Sequence, residues 1–235
     1  MTGLGEKLRD EHARPAVVIL AGTFLYTLWH VYGRPRFYTD HLSESISFTG
    51  NPVVDAGIYW AVMNLLLIAI LLWMMKGIFG DTLANYGLCK GNVRFSISRL
   101  VFATPILVGI GYLVAQQDAF QEYYPINPGV RESASTGLFL MHVAVLSTYY
   151  LAWEILFRGF IQHGVKPQLG LAAAIAVQTL ASTLAHADRP GPELIGSFFA
   201  GVGWGVMVSR AGSIWTVVLQ HWILGIALSY FICFG

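Results

Sequence analysis

Apolar runs long enough to cross a bilayer follow one another along nearly the whole of this chain, separated by short polar links. A helical crossing needs about 20 mainly apolar residues. By that rule seven runs stand out, at about 15–32, 55–79, 97–116, 137–163, 170–186, 193–210 and 213–233. Lipid offers no partner for backbone polar groups, so a crossing segment is a helix or part of a closed barrel, and runs of this length specify helices. The expected fold is all-α, a polytopic membrane helix bundle of about seven (six to eight) transmembrane helices, with residues 1–235 as a single integral membrane domain. Only 11% of the residues are charged, where a soluble domain carries about a quarter. The net charge of +1 gives no case for a nucleic-acid partner, and Cys89 and Cys233 lack disulfide or zinc spacing.

The polar links are turn-rich, and Asp188-Arg189-Pro190-Gly191-Pro192 is the sharpest break. Lys7, Arg9, Arg14, Lys76, Lys90, Arg94, Arg99, Lys166 and Arg210 gather on the side of the N-terminus, against Arg34, Arg36, Arg131 and Arg189 on the other. Basic residues concentrate in cytoplasmic loops. The expectation is a cytoplasmic N-terminus, seven crossings, an external C-terminus and residence in a bacterial inner (plasma) membrane. The mixed flank Glu6, Lys7, Arg9, Asp10 and Glu11 is unlike a secretory signal, so the first run reads as an uncleaved span.

Ionisable groups at membrane depth are costly and mark functional sites by default. Glu154 and Arg158 stand one helical turn apart in the fourth run, on a stripe with Ser147, Tyr150 and Gln162. Gln178, Ser182 and His186 repeat every four residues in the fifth, and His221, Gly225 and Ser229 in the seventh, beside Gln220. One carboxylate and two imidazoles on separate helices suggest a shared polar chamber. Counted along the helices at ~1.5 Å per residue, Glu154 lies ~15 Å deep, His221 ~12 Å and His186 ~24 Å, so a tilt or an inward-dipping 187–192 link is needed to bring them level. His30 and His142 lack polar neighbours at helical spacing and read as packing residues. Ser197, Gly201, Gly205 and Ser209 form a small-residue ridge suited to close helix packing.

At these residues the chain resembles the CPBP family of intramembrane proteases, which includes the CAAX prenyl endopeptidases and bacterial Abi-type proteins. The resemblance covers 137–233, the expected catalytic core. The family's Glu-Glu-x-x-x-Arg motif corresponds to Trp153-Glu154-Ile155-Leu156-Phe157-Arg158, its Phe-x-x-x-His to Ser182-Thr183-Leu184-Ala185-His186, and its His-x-x-x-Asn to His221-Trp222-Ile223-Leu224-Gly225. Trp153 stands where the family has its first glutamate, and Gly225 where it has asparagine.

The resemblance implies an intramembrane endopeptidase that hydrolyses a peptide bond in a membrane-associated peptide or protein, in contact with membrane lipid. It further implies Glu154, His186, His221 and Arg158 as catalytic residues and no cofactor. Glu154 would hold a water with His186, and His221 would donate to the developing oxyanion, with Ser229, Gln220 or a backbone N–H in place of the missing asparagine. A zinc alternative would use Glu154, His186 and His221 as ligands with water fourth. Two other readings are a proteolytically inactive relative acting as a peptide-binding, immunity or scaffold membrane protein, and a proton-coupled carrier, whose inverted repeats are not seen.

Overall fold

Proline and asparagine open most of the long helices. The structure, a computed structural model, describes residues 13–235, so the flank Glu6, Lys7, Arg9, Asp10 and Glu11 lies outside the described residues. Its helices are α1 (Arg14–Tyr32), α2 (Pro35–His41), α3 (Pro52–Trp73), α4 (Val93–Ala115), α5 (Asp118–Tyr123), α6 (Gly129–Ser133), α7 (Thr136–Glu154), α8 (Gly164–Leu184), α9 (Gly191–Ala211) and α10 (Trp215–Phe234). A π-helical turn, Met74–Ile78, extends α3, and a longer one, Ile155–His163, joins α7 to α8. Asn51, Asn92 and Ser135 accept backbone N–H groups at the starts of α3, α4 and α7, and Pro sits in the first turn of α1, α2, α3 and α9. Both devices deal with N–H groups that have no partner inside the helix.

Six of the described helices are long and apolar enough to cross a membrane. This is an integral membrane protein built as a helical bundle. The fourth and fifth runs expected from the sequence are one helical stretch, Thr136–Leu184, of 49 residues. At 1.5 Å per residue that is about 73 Å, more than twice a bilayer's hydrocarbon core of about 30 Å. It breaks at Gly170, whose φ of 79° and ψ of 168° are not helical. The link expected at 164–169 is therefore helical, and the reversal falls on the glycine.

Two ends of the bundle are defined by cross-chain bonds. At one, Arg14 pairs with Asp81, and the backbones of Asn92 and Ile214 bond to Ala211 and Gly87. At the other, Arg34 pairs with Asp188 at 2.7 Å and Asn127 donates to the Val53 carbonyl. Between these ends the chain passes through α1, α3, α4, the α7–π rod, α8 beyond Gly170, α9 and α10.

The centre is aromatic. Trp153 packs against Tyr26, Trp29, Tyr149 and Phe157, with Trp60 tilted against the far side of the cluster at Tyr149. α4 is the reverse case, with Val101, Phe102 and Leu113 exposed as a lipid-facing helix requires. α9 packs chiefly on α8 and barely on α4. Its small-residue ridge takes two buried amides: Gln178 donates to the Gly201 carbonyl at 2.7 Å and Gln162 to that of Gly205 at 2.9 Å. A Cβ at Gly201 would come within 2.8 Å of Thr179, so glycine there permits the close approach.

Candidate active site

The π-helical turn begins at the residue after Glu154. It adds an i→i+5 pattern to the stretch Ile155–His163, where His163 Nδ1 bonds to the Arg158 carbonyl at 2.6 Å. Such turns recur at functional sites because they re-aim side chains that a regular helix would stack. Here Arg158 stays with Glu154, its Nη1 donating to Oε1 at 3.3 Å. Gln162, expected on the same stripe, turns to α9 and bonds Gly205 and Ser209. Ser147 also leaves the stripe and bonds the Ala144 carbonyl.

Glu154 is fully buried, and its Oε1 also receives His221 Nδ1 from α10 at 2.8 Å. The carboxylate fixes the ring's orientation and leaves Nε2 to face outward. Glu154 Oε2 and Arg158 Nε are buried with no partner among the described residues. Trp153 presents its ring to both imidazoles, 4.9 Å from the centroid of His186 and 6.1 Å from that of His221. In the 186–190 turn His186 and Arg189 are buried, while Ala187 and Asp188 between them are exposed.

His186 does not bond to Glu154. Its Nδ1 donates to the Ser182 carbonyl at 2.6 Å, so Nε2 is left as an acceptor, 3.8 Å from Glu193 Oε1. His186, His221 and Arg158 border one cavity of about 300 Å³, and Glu154 sits behind His221 without bordering it. Further polar lining comes from Tyr124, Tyr149, Tyr150, Ser182, Arg189, Glu193 and Ser197, while Leu107, Ile110, Val114 and Leu224 give the cavity an oily side.

The predicted stand-ins for the missing asparagine are engaged elsewhere. Gln220 donates to the Arg99 carbonyl and Ser229 pairs with His142. The space above Gly225 is filled by Tyr150, whose hydroxyl lies 2.2 Å from where a Cβ would be and whose ring lies 4.2 Å from His221. His30 bonds Tyr26 and Arg34 and His142 bonds Ser229, away from the cavity.

Among the described residues no group of three or more His, Cys, Asp or Glu is placed to hold a metal ion. The zinc set Glu154, His186 and His221 therefore does not assemble, because His186 turns to Ser182 and Glu193 while Glu154 commits to His221 and Arg158.

Sequence reasoning passed over Glu193, Arg189 and Tyr124. Arg189 donates to Tyr124 and Glu193 and, through Nη2, to the Tyr149 hydroxyl at 2.6 Å. Burial pushes the Tyr124 phenol well above its ordinary pKa, so it remains a donor. For the neighbouring Asp188, burial acts to raise the carboxyl, but the hydrogen bond and charge of Arg34 outweigh it and hold it below the usual range.

Residues 135–227 match the family model described as type II CAAX prenyl endopeptidase Rce1-like, a match that supports the CPBP/Rce1-like resemblance over that segment. No curated protein matches the chain, and no solved structure does.

Proposed function

We propose that this protein is an intramembrane endopeptidase of the CAAX-protease type, hydrolysing a peptide bond in a membrane-associated peptide or protein with a glutamate-activated water. One observation carries the reading. Within the Rce1-like segment, His186, His221 and Arg158 converge on one cavity whose other side is oily. Ionisable groups gathered on a cavity in a lipid-embedded bundle mark a functional site by default.

The chemistry divides among them as follows. His186 Nε2 anchors the attacking water. His221, oriented by Glu154, serves the scissile group from the opposite side of Trp153. Arg158 and the Tyr150 hydroxyl supply positive charge and a donor for the developing oxyanion, the kind of stabilisation for which loss of one donor costs about 3 kcal/mol. Leu107, Ile110 and Val114 of α4, loosely packed on α9, form the side from which a lipid-embedded substrate enters. The basic excess near Arg14, Lys90 and Arg94 supports a cytoplasmic N-terminus, and a bacterial inner membrane is the expected location.

The test uses the full chain in proteoliposomes with two quenched probes, a prenylated C-terminal peptide and a single-span helix cleaved near the membrane face. Wild-type protein is expected to release product. His186→Ala should lose at least 100-fold of the rate at equal amounts of folded protein. If neither probe is cleaved by the wild type, or if His186→Ala cleaves normally, the reading fails. Probe capture without cleavage would point to a binding protein instead.

A further inference from the structure

Glu193 belongs to none of the three motifs read from the sequence, yet its carboxylate borders the same cavity as His186. It sits in the first turn of α9, where the helix dipole favours negative charge. Tyr124 donates its hydroxyl to this carboxylate, 2.7 Å from Oε1 and 2.9 Å from Oε2, and Arg189 Nη1 donates to Oε1 at 3.1 Å. Arg189 is itself held by Tyr149 and Tyr124, so its charge offsets that of Glu193 from a fixed position. The Glu193 side chain is 19% exposed, against 4% for Arg189, 9% for His186 and none for Glu154, so it is the carboxylate that solvent in the cavity reaches.

Three facts about the reaction centre converge on it. Position 153, where the family motif has its first acid, is tryptophan. Glu154 is sealed behind His221. His186 Nε2 and Glu193 Oε1 are both acceptors, 3.8 Å apart and facing one space, and a single water has two protons to give them at ordinary hydrogen-bond distances.

We propose that Glu193 is the general base that activates the hydrolytic water, with His186 Nε2 as the water's second anchor, in place of the glutamate absent at Trp153. The inference rests on the protease reading above. In the reaction one water proton passes to the Glu193 carboxylate as the water oxygen bonds to the scissile carbonyl carbon. The tetrahedral adduct then collapses, the C–N bond breaks, and the proton on Glu193 goes to the departing nitrogen. The products are a carboxylic acid and an amine, with the carboxylate regenerated. Glu154 is then a positioning residue, acting through His221.

The same proteoliposomes and probes test this with Glu193→Gln, Glu193→Asp and Glu193→Ala. Glu193→Gln is expected to lower kcat by about 10²–10⁴-fold with little change in KM, the range for a general base. Glu193→Asp should keep part of the rate, and added formate should restore part of it to Glu193→Ala, which a purely structural carboxylate would not allow. If Glu193→Gln does not fold, the formate experiment decides. A folded, inactive Glu193→Ala that formate leaves unchanged overturns the proposal. So does a Glu193→Gln variant with near-wild-type rate, which removes Glu193 and leaves the protease reading intact. A wild type that cleaves neither probe removes the protease reading itself.

Discussion

A side chain at position 225 would begin 2.2 Å from the Tyr150 hydroxyl and 2.5 Å from its ring. The glycine is thus the counterpart of Tyr150, whose ring fills the space beside position 225, where the motif it resembles carries asparagine. Gly225→Ala should lower thermal stability by about 1–3 kcal/mol, the usual cost of overpacking, read as a shift of the unfolding midpoint in detergent. Combined with Tyr150→Ala the two effects should be clearly non-additive, since the second change vacates the space the first one needs. An additive pair would show that Tyr150 yields without strain. Glu154→Gln should act twice over. It leaves the buried Arg158 without its acid, a loss of about 3–5 kcal/mol, and it frees the His221 ring, so cleavage should fall by at least 100-fold. Glu154, Arg158, His186 and His221 were legible as candidates because ionisable side chains in apolar runs are improbable. Glu193 was not. An acid just after Pro190-Gly191-Pro192 reads as an ordinary helix start, and only the folded turn between α8 and α9 sets its Oε1 3.8 Å from His186 Nε2.

The helical spans were legible from apolar length to within a few residues, with Asn51, Asn92 and Ser135 setting the starts of α3, α4 and α7 one to four residues ahead of the expected runs. The π-helical turn was not, because whether a stretch winds i→i+4 or i→i+5 depends on what its side chains meet. Gln162 illustrates this: in sequence it continues the Glu154–Arg158 stripe, yet it crosses to the Gly205 carbonyl. The break inside Thr136–Leu184 falls at Gly170, six residues beyond the start of the link that composition suggested. A side chain there meets nothing within 4 Å, so the only penalty is the backbone. Gly170→Ala should therefore lower stability by about 1–3 kcal/mol through its positive φ and extended ψ alone. Gly201→Leu should cost more, because it drives α8 and α9 apart at Thr179 and strains the Gln178 bond. Gly203, with open space around it, is the control, and its change to alanine should leave the midpoint unmoved. Equal midpoints for all three variants would mean that the ridge is not a packing surface.

At the scale of the molecule, the two ends carry different electrostatic fastenings. The Arg34–Asp188 pair joins the end of α1 to the turn that carries His186, with Tyr123 adding a hydrogen bond. Because the Asp188 carboxyl is depressed in the folded chain, its contribution is present above the unfolded value of about 3.9 and is lost as pH falls through the lower folded value. Asp188→Asn should flatten that acid loss, as followed by unfolding midpoints between pH 3 and pH 6. The opposite end bears Arg14, Lys76, Lys90, Arg94, Lys166 and Arg210, and this excess sets the expected orientation, with that end in the cytoplasm. With that orientation, seven passes would leave the loop around Glu44 and the His186–Glu193 turn outside. Exposed Lys90 and Glu44 lie at opposite ends, so each can report its side once Cys89 and Cys233 are replaced by serine. A membrane-impermeant maleimide applied to intact cells should label Glu44→Cys at once and Lys90→Cys only after permeabilisation. The reverse pattern would invert the protein in the membrane and move the His186–Glu193 turn to the cytoplasmic face, so that substrates would have to present their scissile bond from inside the cell.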